Sequence, residues 1–150
     1  MVCNATPTGA ASYNELEPPS QGGPTGTNDS CGTAENIGVV ASGTPLVISG
    51  FLNPAGAGAY NGDTDYYFFT AGSAGVYTFN VDCYSTGADS NLVDLVIFDN
   101  TCAYLYDPGA TQPGISVTSP SLTPGNSFYL MVTSFNGATP IPYHFTIIPP

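Results

Sequence analysis

Eight short apolar runs, each of strand length and mostly parted by Gly, Pro, Asn or Ser, govern what this chain can fold into. They are "NIGVVAS", "PLVISGFL", "DYYFFTA", "GVYTFNVD", "NLVDLVIFD", "GISVTS", "SFYLMVTSF" and "PYHFTIIP". No segment of ten or more residues holds a helical stripe with caps. In "GVYTFNVD", Tyr77, Phe79 and Val81 alternate with Thr78, Asn80 and Asp82, the period of a strand with one wet face. In "SFYLMVTSF", Phe128, Leu130 and Val132 fall on one face and Tyr129, Met131 and Thr133 on the other, which predicts a central strand. Strands so spaced, with 18 Gly and 14 Pro to turn the chain, predict an all-β fold. We expect an antiparallel β-sandwich or jelly roll of about eight strands. Residues 1–33 show neither the helical nor the strand period, and "EPPSQGGPTGTNDS" is dense in turn-formers. They predict an extended N-terminal arm, with the sandwich domain over 34–150.

The second constraint is electrostatic. The 150 residues contain no Lys or Arg but eleven Asp and Glu, for a formal net charge of -11. Only His144 could offer these carboxylates a cationic side chain. Binding to nucleic acid or to anionic lipid needs Lys and Arg against phosphate, and P-loop chemistry needs a fixed cation; these function classes are excluded. No apolar stretch approaches the roughly 18 to 20 residues of a membrane span, so membrane insertion is not expected.

Four cysteines, Cys3, Cys31, Cys83 and Cys102, in such a chain point to an oxidising compartment and disulfides. Three pairings are possible. Local loop closure favours Cys3 with Cys31 and Cys83 with Cys102. Asn4 in "NAT" and Asn28 in "NDS" are glycosylation sequons. The opening "MVCNATPTGAASY" lacks the charged and apolar regions of a secretory signal. A secreted protein is therefore expected to carry it as a mature or excised chain.

Acidic residues form the strongest constellation. Side chains at i and i+2 share a face of an extended backbone, so Glu15 and Glu17 in "ELE", and Asp63 and Asp65 in "DTD", aim pairs of oxygens the same way. Asn28 and Asp29 add to them. Such oxygens crowd unless a cation sits among them, and no Lys or Arg supplies one. Calcium, a hard ion taking six to eight oxygen ligands, is the expected partner. A second acidic group, Asp89, Asp94, Asp99 and Asp107, is more scattered and reads as loop and strand-end residues.

The order of motifs, "ELEP", "NDSCGTAENIG", "GDTDYYFFTAGSAGVYTFNVD", "DLVIFD", "LTPGNSFYLMVTSF" and "PYHFTI", resembles the bacterial pre-peptidase C-terminal domain. That family is similar to the collagen-binding domains of bacterial collagenases. The resemblance runs from about residue 15 to 148 and implies a secreted β-sandwich module. In some members acidic residues ahead of the first strand and an aspartate pair ahead of the "YYFF" strand form a calcium site. Position by position, this implicates Glu15, Glu17, Asn28, Asp29, Asp63 and Asp65. This chain departs from the pattern by carrying "PPSQGGPTGT" between the glutamate pair and "ND".

Catalysis has little to build on. His144 is the single histidine, and there is no G-x-S-x-G elbow to hold a nucleophile. Aromatic residues are the other candidate contacts. Tyr66 and Tyr67 begin a run that puts rings on both faces of one strand, so some should meet solvent or a partner. The expectation is a non-catalytic, secreted, calcium-binding sandwich for extracellular adhesion or self-assembly into a filament. Its partners are further copies of itself or an extracellular polymer. The alternative is a module that targets a secreted hydrolase to polysaccharide or fibrous protein.

Overall fold

The computed structural model describes residues 2–3, 6–17, 27–52, 63–84, 93–106, 116–134 and 141–150. Eleven strands lie among them: β1 Val2–Cys3, β2 Ala11–Asn14, β3 Glu35–Val40, β4 Leu46–Leu52, β5 Thr64–Ala71, β6 Gly75–Tyr84, β7 Val93–Asp99, β8 Tyr104–Tyr106, β9 Ser116–Leu122, β10 Ser127–Ser134 and β11 Ile141–Ile148. All eight runs read from the sequence are strands. β1, β2 and β8 are additions, too short to show a period.

Two sheets pack face to face as a β-sandwich. One has the order β1-β6-β11-β4-β2, with β9 also pairing β6; the other runs β3-β5-β10-β7-β8. β10 lies between β5 and β7, the interior position its two apolar faces require. Neither sheet is purely antiparallel, because β2 runs parallel to β4 and β3 parallel to β5. The antiparallel expectation is corrected there: apolar period assigns a strand to a face but does not name its neighbour. Residues 1–33, read as an extended arm, contribute β1 and β2 to the first sheet.

The core forms where the inward-facing positions of both sheets meet. β5 shows it most plainly, since Asp65, Tyr67, Phe69 and Ala71 are buried while Tyr66, Phe68 and Thr70 alternate outward. Tyr77, Phe79, Leu95, Ile97, Leu130, Val132, Phe145 and Ile147 complete the layer. Each such side chain contributes about 1.5–3 kcal/mol on burial. Tyr67 has no exposed surface, which corrects its assignment as a ligand contact: it points inward with Phe69.

The cysteine pairing is also corrected. Cys31 is joined to Cys102 across 71 residues, which excludes both Cys3 with Cys31 and Cys83 with Cys102. The sheets separate the favoured partners. Cys31 opens a 3-10 turn, Cys31–Thr33, that packs on β5, whereas Cys3 stands opposite Cys83 in the β1–β6 ladder of the other sheet. On the loop-entropy model so long a closure stabilises by about 4 kcal/mol. Non-reducing peptide mapping is expected to return Cys31 linked to Cys102. The digestion must use pepsin, since trypsin finds no site. A Cys3–Cys31 peptide in the native protein would contradict this fold.

Candidate metal centre

The alternation that buries Tyr67 and Phe69 also turns Asp65 inward, at the end of the core where β5 begins. Asp63 precedes it by two residues, and both are completely buried. From the first sheet, the segment after β2 brings Glu15 and Glu17 to the same end. Glu15 N–H donates to the Ser49 carbonyl at 2.9 Å and Glu15 Oε2 accepts from Phe51 N–H at 2.8 Å, fastening it along β4. A cavity of about 260 Å³ lined by Glu15, Glu17, Ser49, Gly50 and Phe51 opens beside them.

Glu17, Asp63 and Asp65 each offer an oxygen, and these atoms lie within 4.8 Å of one another, a grouping fit to hold a metal ion. Asn28 is buried beside them. Its Nδ2 donates to Glu15 Oε1 at 3.1 Å and to Glu35 Oε1 at 3.3 Å, and its carbonyl accepts from Tyr66 N–H at 2.9 Å. Asp29 is half-buried in the same loop. The structure thus brings Glu15, Glu17, Asn28, Asp63 and Asp65 together. Asn28 is closed as a glycosylation point, because its amide is buried and committed; Asn4 lies outside the described residues, as do Asp89 and Asp107.

Glu35 is the residue the sequence reading missed. It begins β3, is buried, and accepts from Leu16 N–H at 3.0 and 3.1 Å and from Glu17 N–H at 3.3 Å, one carboxylate gripping the backbone between the two glutamates. Tyr13 O–H donates to its Oε2 at 2.9 Å. A carboxylate at the head of an apolar strand run, in a chain with no Lys or Arg to pair it, was the available signal.

Three buried oxygens have no hydrogen-bond partner: Glu17 Oε1, Asn28 Oδ1 and Asp65 Oδ1. An orphaned buried acceptor costs about 1–3 kcal/mol, more when charged, and a cation placed among these three could offset that cost. All are hard oxygen donors, the set that suits calcium rather than zinc or copper.

The electrostatics agree. Burial first, then the charge of Glu15, push the Asp65 carboxyl up to about 10, and Glu15 is itself raised, chiefly by burial. Tyr143 O–H donates to Asp65 Oδ2 at 2.7 Å and hydrogen-bonds Tyr67 O–H. To reach Asp65 the Tyr143 ring lies across Gly50, its partner in the β4–β11 ladder, where any Cβ would overlap the ring. Any larger residue at position 50 must push the Tyr143 ring away.

Other sequence candidates fall elsewhere. Tyr66 is half-buried on the outer face of the second sheet, its ring 5.9 Å from Phe98. Phe68, Tyr129, Phe98 and Tyr104 form one cross-strand row there, with Tyr104 63% exposed. Asp99 instead closes the β7–β8 turn, its Oδ1 accepting from Thr101 and Ala103 N–H.

No family model matches the chain, and no curated protein sequence matches it. Among solved structures, the chain is similar to the pre-peptidase C-terminal domain of collagenase from Bacillus anthracis. Identity is 20%, with 77% of this chain and 92% of that one covered and a TM-score of 0.49.

Two outcomes are expected. In chelator, folded Asp65 keeps a proton that the unfolded chain releases near pH 4. Stability is then greatest at low pH and falls as pH rises from about 4 toward 10, by at most about 1.4 kcal/mol per pH unit for each retained proton. Melting curves from pH 4 to 8 in EDTA check this; a rise with pH would contradict it. Gly50→Ala should lose about 1–3 kcal/mol by overpacking against Tyr143, measured by urea denaturation.

Proposed function

We propose that this protein is a non-catalytic, secreted β-sandwich module that binds calcium at Glu15, Glu17, Asn28, Asp63 and Asp65 and serves in extracellular adhesion or self-assembly. The observation that carries the reading is the set of orphaned buried oxygens among carboxylates, in a chain with no Lys or Arg. Bound calcium would supply the positive charge that lets Asp65 and Glu15, both raised by burial, release their protons. Glu15 and Glu17 then tie the first sheet to the ion, Asp63 and Asp65 the second, and Glu35 holds the Leu16–Glu17 backbone in place for it.

Self-assembly is supported by the sheet edges. β3 and β8 flank the second sheet, with Val39 64% and Leu105 39% exposed, and there is no lysine in the chain to discourage edge pairing. At -11 each, copies repel unless cations reduce their charge.

Calcium at about a hundred times its dissociation constant should add about 2.7 kcal/mol of stability, a rise of roughly 5 to 10 °C in a domain of this size. In EDTA, Asp65→Asn should melt near the parent at pH 4 and above it at neutral pH, because the variant does not take up the proton that Asp65 must take up on folding, and it should lose most of the calcium increment. Equal melting curves for the parent protein in calcium and EDTA would overturn the ion reading. Light scattering with and without calcium tests assembly; a monomer at high concentration in both excludes it.

A second reading is favoured by the outer-face row of Phe68, Tyr129, Phe98 and Tyr104. Rigid aromatic side chains give contact area at low entropic cost, and the row suits a module that targets a secreted hydrolase to polysaccharide or fibrous protein. Retention on insoluble glycan or collagen, lost in Tyr104→Ala with the calcium response intact, would establish it in place of self-assembly.

A further inference from the structure

The Cys31–Cys102 disulfide ends on the loop that carries Asn28. Cys31 stands three positions after Asn28, and it lies inside a tight turn that starts at Ser30: Thr33 N–H donates to the Ser30 carbonyl at 3.0 Å, and the Ser30 and Thr33 hydroxyls hydrogen-bond at 2.9 Å. The other end is a firm anchor. Cys102 adopts a left-handed φ of 62° in the β7–β8 turn, where its N–H donates to the Asp99 carbonyl at 3.0 Å. Asp99 Oδ1 holds the same turn through Thr101 and Ala103. The covalent bond therefore ties a loop packed on β5 to a hairpin on the far side of β10.

On the cluster side, Asn28 is held by hydrogen bonds to Glu15, Glu17, Glu35 and Tyr66, and its Oδ1 has no partner. Without the disulfide the loop has more conformations to lose when an ion draws Asn28 in, and that ordering is charged against affinity.

We propose that the Cys31–Cys102 disulfide sets the affinity of the carboxylate cluster for its cation, making ion binding redox-linked. The proposal rests on the ion-binding reading above. Cys31 is half-buried and Cys102 exposed, so a small dithiol can reach the bond. The dithiol passes two electrons and two protons to it and becomes a cyclic disulfide, while Cys31 and Cys102 become thiols. Coupling is reciprocal: if the disulfide raises cation affinity by some factor, the cation must resist reduction of the disulfide by that same factor.

The test compares calcium binding, by titration calorimetry at fixed pH, in the oxidised parent and in a Cys31→Ser/Cys102→Ser variant checked for native β-structure by circular dichroism. A loss of about tenfold in affinity is expected, within the ordinary range of coupling between sites. Cys3→Ser/Cys83→Ser should bind like the parent. In dithiol redox buffers, calcium should shift the Cys31–Cys102 equilibrium toward disulfide by a matching factor. Equal calcium affinity in parent and variant, with only the melting temperature lowered, overturns the linkage and leaves the ion site standing. No calcium binding by the oxidised parent overturns both. Should the variant fail to fold, the redox-buffer titration of the parent decides alone, and an equilibrium indifferent to calcium overturns the linkage.

Discussion

Everything at one end of this sandwich is organised by the repulsion among buried or half-buried carboxylates that no side-chain cation relieves. Glu15, Glu17, Glu35, Asp63 and Asp65 converge from both sheets. Two unit charges 4 Å apart cost about 4 kcal/mol at an effective dielectric near 20, so several cannot stand together ionised and unaided. The fold meets this with uncharged donors. Backbone N–H groups of Leu16, Glu17, Thr27 and Phe51, the Asn28 amide, and the phenols of Tyr13 and Tyr143 all point at carboxylate oxygens. Because the donors come from β2, β4, β11 and the loops beside them while Glu35 and Asp65 belong to the second sheet, satisfying the acids adds polar ties between the sheets at this end of the core.

The same contacts join this end to the core. Asp65 continues the inward period of Tyr67 and Phe69, and Tyr143 continues that of Phe145 and Ile147. Tyr143 and Tyr67 share a hydrogen bond, and the Tyr67 ring stands edge-on to Phe145 at 6.0 Å and to Tyr13 at 6.3 Å. A change of charge at Asp65 is thus felt by rings packed between the sheets. Gly50 belongs to the same device, since a methyl group there displaces the phenol that bridges the core to Asp65.

How much of this was legible in the sequence depends on the range of each interaction. "DTDYYFF" carries both the strand and the inward acid, because period 2 is a local property; β5, β6 and β10 were readable for that reason. The acids at 15, 17, 63 and 65 were legible as pairs for the same reason. Glu35 was not, because it acts on Leu16 and Glu17 nineteen and eighteen residues away. The Cys31–Cys102 bond escaped for the same cause: loop length favours near partners, while sheet order decides which turns meet. Tyr67 shows the remaining ambiguity, since a run aromatic on both faces does not say which face is in until Asp65 and its donors are placed.

A lysine ammonium set among these acids would neutralise them permanently and make the cluster an ordinary buried ion pair. The only side chain that could carry positive charge, His144, alternates to the strand face opposite Tyr143 and Phe145. Charge balance must therefore be imported, as protons retained on groups such as Asp65 or as a cation from solution. The two differ in kind. Retained protons leave at rising pH and leave Glu17, Asn28 and Asp65 with orphaned oxygens, whereas a polyvalent cation satisfies several oxygens at once and is favoured as the protons depart. In so far as a cation binds, one end of the sandwich is closed by something the surroundings supply, and its firmness follows their ionic composition rather than the sequence alone.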